Sequence, residues 1–164
     1  MEKLCGCIDA LNERVGAFAA WLILLMAGIT FLVASLRYGL NFGSIALQES
    51  ITYLHAFVFM IAGAYTLKHN EHVRVDIFYQ GMSPRKKAWV DFLGCVLLLL
   101  PFASFIVWTS FDYVINSWRY LEKSREAGGL PLVFILKTFI PVMAILLFLQ
   151  AISMGGRAWL VLRK

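Results

Sequence analysis

The chain has 164 residues, 60% of them hydrophobic and only 15% charged, with a net charge of +5. Soluble domains carry about 25% charged residues, so this balance excludes a water-soluble globule, and the length leaves room for one domain over 1–164. In so apolar a chain the positive charge belongs beside lipid headgroups, so membrane lipids are expected partners and nucleic acid is not.

Four charge-free runs, 15–36, 50–67, 92–111 and 138–156, are each long enough to cross a hydrocarbon core of about 30 Å as a helix. Lipid offers backbone N–H and C=O groups no partner, so each run must satisfy its own, and none alternates as a barrel strand would. The fold expected is an all-α integral membrane protein with four transmembrane helices over about 15–38, 48–68, 84–115 and 131–157. The first run is longer than a signal-peptide core and no A-x-A site follows it, so it is read as a span. Of the 15 lysines and arginines, ten (Lys3, Arg14, Lys68, Arg74, Arg85, Lys86, Lys87, Arg157, Arg163, Lys164) fall on the side of the termini and five (Arg37, Arg119, Lys123, Arg125, Lys137) on the other. The positive-inside rule then puts both termini and the 69–83 loop in the cytoplasm, and the 113–130 loop outside.

In chain order, Leu4, Ile8, Leu11 and Val15 recur at helical spacing, which suits an interfacial amphipathic helix over 2–14; a polar tail is the alternative. Cys5 and Cys7 form a C-x-C without further ligands nearby, so no metal is expected. Span 1 ends at Arg37 and span 2 opens near Glu49, and a structural ion pair between them is expected to tie the two helix ends. His55, inside span 2, is expected to hydrogen-bond at a helix contact, since no second histidine is placed for bis-histidine haem. In the central loop Val73, Ile77 and Phe78, between Arg74, Asp76 and Gln80, suit a second interfacial helix; an isolated strand is the alternative. Ser83 is the expected N-cap of the next helix, with Pro84 at its first position. Pro101 is expected to kink span 3. Arg119, Lys123, Arg125 and Glu126 make the outer loop a candidate docking surface for a protein, or else a solvated loop. Gln150 is a candidate interhelical hydrogen bond in span 4.

There is no Walker A motif, no HExxH, no G-x-S-x-G and no C-x-x-C. Nothing points to an enzyme or a cofactor, and no internal repeat relates the halves as in many complete transporters. A haem-bearing membrane anchor of an oxidoreductase and a small homodimeric exporter working through Glu49 are the alternatives to a scaffold subunit.

The stretch GAYTLKHNEHVRVDIFYQGMSPRKKAWVDFLG resembles the small membrane subunit, DctQ-like, of tripartite ATP-independent periplasmic (TRAP) transporters. The resemblance rests on His72, Val73, Arg74, Val75 and Asp76 after span 2, then Ser83-Pro84. Arg37, Glu49, the run SREAGGLPLVFILK and Gln150 follow the same order. The resemblance implies a bacterial inner-membrane subunit of a sodium-coupled importer of organic anions, with carboxylates as the class to expect. It also implies two partners, a large permease subunit on a separate chain and a periplasmic substrate-binding protein. The small subunit would act as a fixed scaffold beside an elevator-type permease, with His72, Arg74 and Asp76 as an interfacial motif and the outer loop helping to dock the binding protein.

Overall fold

The computed structural model describes residues 2–72 and 79–163. It is all-helical among the described residues, with α1 (Glu2–Leu40), α2 (Ile45–Lys68), α3 (Pro84–Leu93), a π-helical turn (Gly94–Leu99), α4 (Leu100–Arg119) and α5 (Val133–Leu162). Taking α3, the π turn and α4 together, four helices among the described residues are long and apolar enough to cross a membrane. The interfacial helix expected over 2–14 and the span over 15–38 form one unbroken helix. At about 1.5 Å per residue α1 is roughly 58 Å long, well beyond the hydrocarbon thickness.

The helix ends follow local chemistry. Ser44 caps α2 by accepting from the Leu47 N–H at 3.4 Å. Asn70 (φ 57°) closes α2 in the left-handed region, where Glu71 N donates to Thr66 O and Asn70 N to Leu67 O. Helix α4 closes the same way: Glu122 N donates to Ser117 O and Leu121 N to Trp118 O, with Leu121 at φ 44°. Leucine is poorly suited there, because its Cβ crowds the backbone. The outer loop therefore begins after Arg119, not at Tyr113. Ser83 holds the N-cap position of α3 with Pro84 at its first turn, but the Ser83 hydroxyl makes no capping hydrogen bond.

The kink expected at Pro101 is resolved upstream as the π turn. Proline has no N–H and crowds the carbonyl four residues back. The extra residue relieves this, and Leu100 N reaches back to Cys95 O.

Helix α5 is the hub. It packs on α1, α2, α3, the π turn and α4, whereas α1 meets α2 and α5, and among the described residues α3 and α4 meet no helix but α5 outside their own segment. The centre is apolar: Ala19, Ile61, Ala64 and Leu146 are buried together, flanked by Val15, Leu22, Phe139 and Val142. Small side chains at Ala19, Ala64 and Ala144 let the helices approach closely.

Candidate functional site

The polar chemistry lies at the two ends of this apolar core. At the end that carries the termini, Cys5, Asp9 and Asn12 share one face of α1 at helical spacing. Gln150, Ser153 and Arg157 share one face of α5. Asn12 Nδ2 donates to Gln150 Oε1 at 2.7 Å, and Gln150 Nε2 donates to Asp9 Oδ1 at 3.2 Å. Ser153 Oγ donates to the same Asp9 oxygen at 2.9 Å. Asp9 Oδ2, which accepts no other hydrogen bond, is paired with the Arg157 guanidinium. Asn12, Gln150 and Ser153 are almost completely buried, while Arg157 keeps one side in the open. Asn12 Oδ1 has no hydrogen-bond partner among the described residues.

A second tie at this end joins α1 to α2. Glu13 pairs with Lys68 and with His69, whose ring packs at a tilt against Tyr65 with centroids 4.5 Å apart. Gly16 is what admits that ring: a Cβ there would lie 2.2 Å from Tyr65 Cδ2. Beside these ties, between α3 and α5, is a cavity of about 390 Å³ reached by Lys68, Lys87, Asp91 and Arg157.

At the opposite end the carboxylates hold a loop. Glu49 accepts from the Leu130 backbone N–H at 2.6 Å and from the Ser124 hydroxyl. Gly129 is required by this closeness, since a Cβ would meet Ser124 Oγ at 2.5 Å and Glu49 Oε2 at 2.7 Å. Glu122 accepts from Ser117 Oγ at 2.7 Å and pairs with Lys137, whose ammonium also lies over the Tyr113 ring at 3.9 Å. The hydrogen bond from Lys137, then that from Ser117, hold the Glu122 carboxyl below its ordinary pKa of 4.5. Trp118 Nε1 donates to Thr138 Oγ1 at 2.8 Å, tying α4 to the start of α5.

The expected residues are distributed unevenly over these clusters. Gln150 makes its interhelical hydrogen bonds. The Arg37–Glu49 pair is a correction: none of the ion pairs among the described residues joins them. Depth alone put them together, but Glu49 is turned toward the loop after α4, and Arg37 is exposed beside a depression lined also by Asn41, Ser44 and Gln48. His55 is likewise corrected: it is exposed on α2 and, among the described residues, touches no other helix through a hydrogen bond. His72 is exposed; Arg74 and Asp76, with the interfacial helix expected around them, lie outside the described residues. Arg119, Lys123, Arg125 and Glu126 are all exposed on or next to the outer loop. Asp9, Asn12 and Ser153 went unnoticed as a site. Two polar stripes of matching period, Asp9/Asn12 and Gln150/Ser153/Arg157, are the sequence signal that could have paired them.

Comparison with known proteins gives three results. Residues 12–160 match the model of a family described as "Tripartite ATP-independent periplasmic transporters, DctQ component". The chain is 24% identical over 121 residues to a Haemophilus influenzae protein named "Putative TRAP transporter small permease protein", a match covering 74% of this chain and 73% of that one. No solved structure matches it.

Proposed function

The chain belongs to the DctQ family of tripartite ATP-independent periplasmic transporter components, and from that premise we propose that it is the stationary scaffold of its transporter rather than the part that carries solute. It is a transporter small permease subunit, a transport component and not an enzyme. In this reading it stands in a bacterial inner membrane with both termini in the cytoplasm. It supports a large permease that moves organic anions with sodium, and its outer loop receives a periplasmic binding protein.

The observation that supports the reading is the apolar seal of Ala19, Ile61, Ala64 and Leu146 between the two polar ends. A solute or ion path wants polar groups facing one another at mid-depth; here that depth is filled with packed methyl groups. The end clusters then do what a scaffold needs: one locks the helices together, the other shapes an exposed face.

Reconstitution tests this. Vesicles holding the large permease and the binding protein should take up the anion only when this chain is present, and this chain alone should carry none. Uptake by the large permease at full rate without it would overturn the scaffold role. Charge reversal at Arg119, Lys123 or Arg125 should raise the binding-protein concentration needed for half-maximal uptake and leave the subunits associated. An unchanged dependence would remove the loop from docking.

A further inference from the structure

The outward faces of the bundle are not alike. Helix α1 shows Leu24 and Phe31, and α4 shows Phe105 and Trp108, the side chains a hydrocarbon solvent accepts. Helix α2 shows something else. Gln48, Thr52, His55 and Phe59 are exposed at successive spacings of four, three and four residues, which puts them on one face. Below them a Cβ on Gly63 would meet nothing within 4 Å, so the stripe continues into a shallow gap.

His55 makes this face anomalous. It lies ten residues into a 24-residue helix, about 15 Å below its outer end, and makes no hydrogen bond or ion pair among the described residues. An imidazole always presents at least one N–H donor, and its neutral form one acceptor as well. Left in lipid these would go unsatisfied, and ionisable groups inside membranes face protein or water instead. Above the stripe the face opens into a depression of about 590 Å³ lined by Gln48 and by Arg37, a cation without an ion pair among the described residues. A complementary surface must therefore offer negative charge at the outer end and a hydrogen-bonding group deeper in.

Resting on the scaffold reading above, we infer that the Gln48–Thr52–His55–Phe59 face of α2, with Arg37 above it, seats one membrane-spanning helix of the large permease. That helix carries an acidic side chain level with Arg37 and a hydrogen-bonding side chain about two turns deeper. Spacings of four and three suit a helix crossing α2 at a shallow angle, with Phe59 and the Gly63 gap taking up its apolar side chains.

Photo-crosslinking in membranes that also contain the large permease tests this. p-Benzoylphenylalanine at Thr52 or Phe59 should give adducts with the large permease; at Phe31 or Trp108 it should not. His55→Leu should reduce the large permease retained on detergent purification roughly fivefold, and His55→Gln should restore it. Adducts from Phe31 or Trp108 but not from the stripe would overturn the inference and leave the scaffold reading standing. Adducts with a second copy of this chain, or with lipid alone, at Thr52 and Phe59 would also overturn it. Failure of the two subunits to associate at all would instead bring down the scaffold reading itself.

Discussion

The two ends of the bundle solve the problem of polar atoms in different ways. At the end with the termini, polar side chains of α1 meet polar side chains of α5 inside the packing, so Asp9, Asn12, Gln150 and Ser153 are paid for by one another. At the opposite end, Glu49 reaches from α2 to hold the loop by the Leu130 N–H and the Ser124 hydroxyl, and Glu122 reaches from the loop back to Ser117 on α4 and Lys137 on α5. The first arrangement fixes how helices sit against each other. The second fixes the shape of a surface that another protein can touch. The two should therefore fail differently.

Asp9→Ala should have the largest effect. It leaves Gln150 Nε2 without its acceptor, Ser153 Oγ with only the longer contact to Cys5 O at 3.4 Å, and Arg157 without its counter-ion, a loss of about 3 kcal/mol. Thermal unfolding in detergent should show a lowered Tm for the whole chain. Glu49→Gln should cost about 1–2 kcal/mol, since it removes a charge-assisted acceptor from Leu130 N. Its mark should be faster proteolysis within residues 120–132 while the helices keep their Tm. If Glu49→Gln lowers the Tm as far as Asp9→Ala, the distinction between the ends is gone.

Leu121→Gly reverses the sign. Glycine accepts the left-handed conformation that Leu121 is held in, so the loop end should gain about 1 kcal/mol and resist protease longer. A loss would mean that the Leu121 side chain itself anchors the loop. The smallest effect is that of acid. The Glu122 carboxyl titrates below its unfolded value because Lys137 and Ser117 favour the ionised form. Its contribution is thus full above the ordinary value of 4.5 and is lost as pH falls through the lower folded value. Loop proteolysis should rise only in that acid window, and Lys137→Gln should move its onset upward.

The four spans were legible because lipid makes hydropathy decisive, and a run without charge has few other meanings. Helix limits were less legible. Hydropathy ends where the membrane ends, but the α1 ladder continues down to Glu2 and the α4 ladder up to Arg119, where hydrogen bonding and not lipid sets the limit. The same reasoning assigned Arg37 to Glu49 from shared depth, which says nothing of azimuth. Gln150 is legible as an interhelical hydrogen-bonding residue, but its partner Asp9 is hidden, because the two are some 140 residues apart in the sequence and a lone Asp among surface-type residues reads as solvated. His55 reads as a helix contact because a polar residue in a span usually turns inward, but the packing of α2 on α1 and α5 turns it outward.

The six-residue π turn at Gly94–Leu99 carries one residue more than an α-helical ladder needs. It acts as a phase shift between the two halves of the third span, offsetting α4 by about 100° from the face α3 would otherwise continue. Deleting a single residue there would keep the span continuous and yet swivel Trp108 and its neighbours around the axis. A change in what surrounds α4 would then come from rotation, with no surface side chain altered.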